Sequence, residues 1–362
     1  MYILNLLKRE FLFFIFLTLF FILLNPEDIL KYPEYIDYPT IFALFSLMTI
    51  TTAIKETKYF DIFAKKIISK IDTERKLAFV LIYLAVFLAM FLTNDITLFI
   101  IVPITLSFAN FIKNDLSKLI VFEAIAVNSG SLLTPIGNPQ NIYLYHLMDT
   151  TFFGFIKTML PLFLLKFTLL GIFIFLFFKN KPVEIVSLKY IKGCYKKLII
   201  HLLLMAVFLY LLNIHESYYA FLIVLTFYLV FDKSIFLKLD YFLLLTFILM
   251  FIDFKILGQN KTLWNLTHIF PHTHENMFIF SAALSQIISN VPAAIFVTQF
   301  SHKYVDIAYG VNLAGNGFLI ASLANVIALR FYKDPKIYIT FHKYSIPFFI
   351  ISFILFILIQ YR

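Results

Sequence analysis

Long apolar stretches alternate with short polar ones along the whole chain. Most of these stretches have the length and composition of helices that cross a membrane. Two stretches differ, because polar and helix-breaking residues interrupt 117–148 at 128–141 and interrupt 307–329 within 312–325. Irregular backbone at membrane depth is tolerated only where it is packed in protein or lines a polar cavity. The pattern therefore predicts two broken helices among continuous ones.

The two interruptions resemble each other. Each begins and ends with an asparagine, Asn128 and Asn141 in the first and Asn312 and Asn325 in the second, at the same separation of thirteen residues. Small or polar residues recur between them at matching positions, namely Gly130 and Ala314, Ser131 and Gly315, Gly137 and Ala321, and Asn138 and Ser322. Two such breaks in the two halves of one chain are typical of the substrate site of a transporter.

Two further segments, 77–112 and 277–300, read as pairs of short apolar arms around polar tips at 93–95 and 289–292. The arms fall short of the ~20 residues that a spanning helix needs, and the tips have no loop long enough to reach water. Each segment is therefore predicted to be a re-entrant hairpin.

These elements predict an all-α polytopic membrane protein with about nine full crossings and two hairpins. The second half repeats the order of helix, hairpin and broken helix in the opposite orientation, as inverted-repeat transporters do. The predicted divisions are an N-terminal helix and outer loop (1–38), a first repeat (39–178), a connecting segment (179–239) and a second repeat (240–362). The continuous crossings are expected at 11–24, 39–54, 151–178, 198–213, 217–231, 240–253 and 344–360.

Composition and charge agree with a membrane location. The chain is 61% hydrophobic and 14% charged, and its formal net charge is +9. Most Lys and Arg lie in segments that alternate with poorly basic ones, and basic loops are cytoplasmic by the positive-inside rule. We expect a multi-pass inner-membrane protein in the lipid bilayer, with a cytoplasmic N-terminus and an outer C-terminus. No nucleic-acid partner is expected, because the cations follow topology and form no single basic face. The basic segments are the N-terminus, 55–76, 113–118, 179–197, 232–238 and 330–343.

Enzyme and metal chemistry find little support. The chain has no phosphate-binding loop sequence, and its single cysteine, Cys194, cannot form an internal disulfide. His268, His272 and His274 are better explained as parts of a solvated outer loop than as metal ligands, because Pro271 breaks the helical spacing that would align them. We expect no enzyme and no metal cofactor, with Na⁺ as the candidate coupling ion.

The breaks and the tips supply the candidate binding residues. A broken helix offers free N–H groups to an anion and free carbonyls to a cation. The alternative is that the polar side chains only satisfy the backbone that glycine and proline release. The candidates are Thr93, Asn94, Asp95, Asn128, Ser129, Gly130, Thr134, Gly137, Asn138, Asn141, Ser289, Asn290, Asn312, Gly315, Asn316, Ser322 and Asn325.

Four charged residues lie in or near apolar segments. Asp95 is the leading candidate for ion or proton coupling, with an N-cap of the next arm as its alternative role. Glu123 is the second candidate, unless it lies near the cytoplasmic face. Asp253 is expected at the outer interface beside a lysine, and Lys166 is expected either to neutralise an embedded acid or to extend towards the membrane surface.

These motifs resemble those of the ion transporter superfamily, which contains the ArsB/NhaD permeases, the citrate transporters and the divalent anion/sodium symporters. The likeness is strongest to YbiR-like inner-membrane permeases, and it covers about residues 35–350. The motifs that carry it are Phe91-Leu92-Thr93-Asn94-Asp95 with Pro103, Phe122-Glu123-Ala124, 128–141, Ile288-Ser289-Asn290-Val291-Pro292 and 312–325.

The resemblance implies an elevator mechanism, in which hairpins and broken helices move against a scaffold, and it implies a homodimer. In the dicarboxylate branch the hairpin tips carry Ser-Asn-Thr motifs that bind carboxylate and sodium. Here the matching positions are 93–95 and 289–291, and the third residue departs from the motif in both. An acid at Asp95 disfavours a plain dicarboxylate carrier.

The leading interpretation is a secondary transporter of a small anion, oxyanion or carboxylate that is coupled to Na⁺ or H⁺. The alternatives are a Na⁺/H⁺ antiporter and an arsenite- or antimonite-type permease that works with a separate ATPase.

Overall fold

The structure, a computed structural model, is helical wherever it describes regular elements. Its extended backbone pairs only at an isolated bridge between Thr73 and Pro182. Cys194, His268, His272 and the end of the arm predicted to reach residue 112 lie outside the described part. The described residues are 10–59, 62, 71–107, 116–182, 195–260 and 273–362.

Fifteen α-helices occur in this described part and are numbered in chain order. They are α1 (Phe11–Leu23), α2 (Tyr38–Glu56), α3 (Glu74–Phe91), α4 (Asn94–Ser107), α5 (Ser117–Gly130), α6 (Pro139–Met148), α7 (Phe152–Phe177), α8 (Tyr195–Asn213), α9 (Ser217–Phe231), α10 (Tyr241–Gly258), α11 (His274–Ile288), α12 (Asn290–Val297), α13 (Tyr304–Ala314), α14 (Leu323–Arg330) and α15 (Ile337–Gln360). Short 3₁₀ helices connect some of them, at Pro26–Tyr35, Ser131–Leu133, Lys233–Lys238 and Leu319–Ala321.

Five of the described helices, α2, α7, α8, α10 and α15, are long and apolar enough to cross a membrane. Large apolar side chains also cover the outside of the molecule, and Phe153, Val230 and Ile339 are between 69% and 78% exposed. A surface of this kind is unfavourable in water and costs nothing in lipid. The fold is therefore that of an all-α polytopic membrane protein.

Helices end and begin at both predicted hairpin tips. The first tip lies between α3 and α4, and the second lies between α11 and α12. At the second tip Ser289 has a φ of 77°, a left-handed value that reverses the chain within one residue. The arm α12 has 8 residues, and it is too short to span a bilayer core of ≈ 30 Å.

Both predicted helix breaks are present. The helix α5 ends at Gly130 and the chain resumes as α6 at Pro139, whereas α13 ends at Ala314 and resumes as α14 at Leu323. In each case a short 3₁₀ turn lies between the two half-helices.

The predicted crossing at 240–253 was too short. The helix α10 continues to Gly258, five residues beyond the predicted end, and Asp253 is fully buried within it. An acid followed by a nearby lysine resembles the polar end of a helix, which is why the sequence predicted too early an end.

Close packing explains the glycine at the end of α5. A Cβ atom on Gly130 would lie 2.2 Å from the carbonyl oxygen of Val86 in α3, so α5 lies directly against the first hairpin. None of the described glycines has a positive φ. Gly130 therefore permits a close approach of two helices and is not needed for a left-handed turn.

The first prediction concerns this contact. Gly130→Ala should lower the free energy of unfolding by about 1–3 kcal/mol, because backbone atoms cannot move aside for the methyl group. The measurement is thermal unfolding of the purified protein in detergent. Gly154→Ala is the matched control, since its methyl group would meet the Thr150 side chain, which can rotate. Equal melting temperatures for the two variants would contradict the prediction.

Candidate functional site

The two helix breaks meet each other in the interior of the protein. The side-chain amide of Asn128 donates to Oδ1 of Asn325 at 2.8 Å, and the amide of Asn312 donates to Oδ1 of Asn141 at 2.7 Å. The first asparagine of each break is thus bonded to the last asparagine of the other break. All four side chains are buried. The breaks therefore form one polar centre.

A second pair of bonds repeats the crossed pattern. The hydroxyl of Ser322 donates to Oδ1 of Asn128 at 2.8 Å, and the amide of Asn138 donates to Oδ1 of Asn312 at 3.1 Å. Asn138 and Ser322 are one of the four pairs of matching positions in the two breaks. Asn128 and Asn312 also donate to carbonyl oxygens one helical turn earlier in their own helices. These bonds use all the hydrogen-bonding atoms of both side chains.

Asn141 satisfies the backbone of the first break. Its amide nitrogen lies 3.0–3.2 Å from the carbonyl oxygens of Ser131, Leu132 and Thr134, which a helix end leaves without intrahelical partners. The amide of Asn325 makes one such bond in the second break, at 2.9 Å. The sequence left open whether the polar side chains bind a ligand or only bond to the backbone that the breaks release. Asn141 and Asn325 do bond to that backbone.

The first hairpin tip is bonded to the first break. The backbone N–H of Asn94 donates to the carbonyl oxygen of Gly137 at 3.0 Å. The hydroxyl of Thr134 donates to the carbonyl oxygen of Met90 at 2.6 Å. These bonds fix Thr93, Asn94 and Asp95 beside the break.

The second hairpin reaches the second break through Gln286, which lies in α11 just before the tip. Its side-chain amide donates to the carbonyl oxygen of Ala314 at 2.8 Å and its Oε1 accepts from the N–H of Phe318 at 2.7 Å. Gln286 was not among the sequence candidates. Its signal was a polar residue one turn before the tip, in an otherwise apolar arm.

The tip asparagines orient their own turns. Oδ1 of Asn94 accepts from the N–H of Asp95 at 3.0 Å, and Oδ1 of Asn290 accepts from the N–H of Val291 at the same distance. Ser289 also donates to Oδ1 of Asn290, at 3.3 Å. The tips are therefore rigid turns of similar construction.

Asn316 joins the second break to α5. Its amide donates to the hydroxyl of Ser129 at 3.0 Å and to the carbonyl oxygen of Ile125 at 3.3 Å. Next to it in sequence, Gly315 lies against Asn128, where a Cβ atom would be 3.2 Å from Oδ1. Oδ1 of Asn316 has no hydrogen-bond partner among the described residues although the side chain is fully buried.

In the described part, every buried side-chain nitrogen or oxygen atom that lacks a hydrogen-bond partner is an oxygen. Unpaired acceptors attract cations, acidic protons or water, whereas unpaired donors would attract anions. They are Oδ1 of Asp95, Oγ1 of Thr97, Oε2 of Glu123, Oε1 of Gln140, both carboxyl oxygens of Asp253 and Oδ1 of Asn316.

Glu123 lies fully buried on α5. One of its oxygens accepts a short hydrogen bond from the hydroxyl of Thr105 in α4, while the other has no partner in the described part. Glu123 is therefore an interior group and does not lie exposed at the cytoplasmic face. It connects the second arm of the first hairpin to the broken helix.

Lys166 brings a positive charge to the polar centre. It is fully buried in α7, and its Nζ donates to the carbonyl oxygen of Asn312 at 3.1 Å. The ion pairs of the described residues include none between Lys166 and an acid. Neither expected role for this lysine, neutralising an acid or extending to the surface, is observed. The ammonium instead lies at the C-terminal end of α13, where a helix dipole favours a cation.

The whole chain can now be compared with known proteins. The family described as citrate transporter matches residues 2–307. The chain belongs to the citrate transporter family. It is 36% identical over 330 residues to the inner membrane protein YbiR of Escherichia coli, covering 91% of this chain and 88% of that protein. It is 38% identical over 327 residues to the uncharacterized transporter MJ0456 of Methanocaldococcus jannaschii, covering 88% of each. Over 170 residues it is 29% identical to the P protein of Mus musculus, covering 43% of this chain and 20% of that protein.

The family and these two long matches are transporters or membrane proteins and not enzymes. This citrate transporter family member is therefore a multi-pass membrane transporter, which confirms the predicted class and the superfamily resemblance. The polar centre at the crossed breaks is its candidate transport site.

Of the three histidines considered as metal ligands in this transporter, the structure describes only His274, which begins α11. Its Nδ1 lies 2.6 Å from a carboxylate oxygen of Asp306 in α13, and its side chain is 70% exposed. Within the described part no three histidine, cysteine or acidic residues are grouped to hold a metal ion.

The second prediction compares the two backbone-satisfying asparagines of the transporter. Asn141→Ala should lower the free energy of unfolding by about 2–3 kcal/mol and Asn325→Ala by about 1–2 kcal/mol. The Asn141 amide serves three buried carbonyls, of which that of Thr134 also accepts from the N–H of Gly137, whereas the Asn325 amide serves one. Unfolding in mixed micelles would measure both. An equal loss in the two variants would show that these backbone bonds do not determine stability.

Proposed function

We propose that this chain is a secondary active transporter that moves a small anion, oxyanion or carboxylate across the inner membrane, driven by a Na⁺ or H⁺ gradient. The observation that carries the proposal is the buried polar centre, where two broken helices are bonded crosswise and each is bonded to the end of a hairpin. The citrate transporter family and the inner-membrane relative support the substrate class and the location.

Helix ends at the polar centre supply complementary charges. The half-helices α6 and α14 begin at the breaks, so their N-terminal N–H groups and dipoles favour an anion. The half-helices α5 and α13 end there, so their carbonyl groups favour a cation. Lys166 already lies at the end of α13, whereas α5 has no such cation among the described residues. We place the exchangeable cation on the side of α5.

The first hairpin tip supplies an acceptor for that cation. Oδ1 of Asp95 is buried without a partner in the described part, and oxygen atoms are the usual ligands of hard cations. Sodium beside Asp95 would neutralise the carboxylate and remove its repulsion of a substrate anion. This arrangement makes substrate binding depend on the ion.

An elevator mechanism with inverted repeats accounts for the packing. Within each half, the first arm of the hairpin packs on the first part of the broken helix, α3 on α5 and α11 on α13. The crossed bonds use matching positions in the two breaks. We propose that these elements move as one body against a scaffold that contains α2, α8 and α9, with about nine crossings, a cytoplasmic N-terminus and an outer C-terminus. The homodimer rests on the family resemblance.

The third prediction tests the cation side. Asp95→Asn should weaken the apparent affinity for Na⁺ by roughly ten- to a hundredfold, because a charged ligand is worth about 1.5–3 kcal/mol. The measurement is Na⁺-dependent uptake of labelled citrate or another small carboxylate into proteoliposomes.

Asp149→Asn is the matched control for this substitution. The Asp149 side chain is 94% exposed and its φ is 46°, a left-handed value that asparagine tolerates. Unchanged Na⁺ dependence in Asp95→Asn, or equal loss in Asp149→Asn, would remove Asp95 from the site.

Unpaired acids favour sodium/proton antiport as a second candidate function. Asp95 and Glu123 each have a carboxyl oxygen without a partner in the described part, so protons and Na⁺ can compete for them. The fourth prediction follows from this competition. Addition of Na⁺ or Li⁺ to vesicles with a preformed pH gradient should dequench a pH-sensitive dye if the protein is an antiporter. A signal that requires added carboxylate would instead support symport.

A further inference from the structure

Asp253 is a buried acid outside the polar centre. It lies in α10, its side chain is fully buried, and both of its carboxyl oxygens lack partners among the described residues. Each other acid in the set of unpartnered oxygens has one unpartnered oxygen, whereas Asp253 has two. Nothing in this apolar helix requires a carboxyl group at this position.

The residues that follow Asp253 pack α10 against other helices. The next residue, Phe254, lies edge-on to Phe16 of α1 and to Phe296 of α12, with ring centroids 5.9 Å apart in both cases. One turn later, Gly258 lies against the side chain of Gln299, just after α12. Asp253 thus belongs to the part of α10 that packs against the second hairpin.

The donors on these surfaces are already used. The hydroxyl of Thr246, two turns earlier in α10, donates to the carbonyl oxygen of Phe242 at 2.6 Å. Beyond α12, Thr298 and the amide of Gln299 both donate to the carbonyl oxygen of Ile295. None of these donors is bonded to Asp253, whose two carboxyl oxygens have no partner among the described residues.

The charged groups on the neighbouring elements lie elsewhere. Lys31, in the 3₁₀ segment, is exposed and pairs with Asp28 at 2.7 Å. Lys55, at the end of α2, lies over the ring of Phe99 at 4.7 Å. Lys255 is partly exposed, unlike Asp253. The helices α1 and α12 contain no charged residue. The remaining acids of these elements, Glu27, Glu34, Asp37 and Glu56, would only repel a carboxylate.

An ionised carboxylate without partners in such an environment costs several kcal/mol, so the group takes up a proton instead. We propose that Asp253 is a proton-binding site between α10 and the second hairpin. Its carboxyl O–H bond stays intact while the two surfaces are in contact. When they separate, the proton passes to an entering water molecule and the carboxylate is left hydrated.

This inference rests on the proposed transport function and takes α10, which packs on α2, as part of the scaffold, so that an elevator movement separates α10 from the hairpin. Asp253 would then link proton release to that movement at a place distinct from the substrate centre. Because the acid is neutral when buried, the closed contact is favoured at low pH and weakened at high pH.

The fifth prediction is tested first by infrared spectroscopy on the purified full chain in lipid. The C=O stretching band of a protonated carboxylic acid should be present at neutral pH, should shift in D₂O, and should lose intensity in Asp253→Asn. Asp306→Asn is the control, because Asp306 is also buried but accepts from Tyr361 and contacts His274. Its removal should leave that band unchanged. A band of equal intensity in wild type and Asp253→Asn would overturn the proposal.

Transport then tests the coupling. In proteoliposomes, Asp253→Asn should retain substrate exchange without a gradient and lose its stimulation by a pH gradient. Unchanged stimulation would overturn the proposal. Asp253→Leu, which is close in size and cannot ionise, should behave in the same way and serves if the asparagine variant does not fold. Absence of any transport by the wild type would instead overturn the proposed function, and the infrared result would be unaffected by it.

Discussion

The structure depends on one constraint, which is that backbone N–H and C=O groups in a membrane interior must find partners within the protein. A continuous helix meets this constraint with its own backbone bonds. A broken helix does not, so the carbonyl groups at its break need other donors. The amide of Asn141 shares its two N–H groups among three such carbonyls, and the amide of Asn325 bonds one. The remaining atoms of these asparagines are bonded to the opposite break. Because each break is completed by the other, neither can be moved or removed alone.

The same constraint explains the hairpins. A hairpin that ends within the protein needs partners for its tip, and the N–H of Asn94 has one in the carbonyl group of Gly137. In the second half, the side chain of Gln286, three residues before the tip, bonds to the break. The bonds differ in detail, since one uses backbone atoms and the other a side chain. They nevertheless join each hairpin to its own broken helix. The group of elements that we propose to move is thus the group that shares one hydrogen-bond network.

Much of this fold could be predicted from the sequence, because breaks and tips are local features. Gly130 ends one half-helix and Pro139 begins the next, and both can be recognised without knowing how the helices pack. The crossed bonds between Asn128 and Asn325 could not be predicted, since they join residues far apart in sequence and depend on how the halves meet. The burial of Asp253 could not be predicted for a related reason, because local sequence does not distinguish an acid at a helix end from one that is buried in a packed interface.

The positions of the buried charges indicate how the two kinds of site can work together. Lys166 is held at the end of a half-helix whose dipole favours its cationic form, so its amino group is a fixed part of the polar centre. Asp95 lies at a hairpin tip with an unpaired oxygen, so its charge can be neutralised by an ion that comes and goes. Asp253 makes no hydrogen bond within that network and lies in α10, which packs on the second hairpin. In the proposal it responds to whether those two surfaces are in contact. Binding and movement would therefore be controlled by different acids.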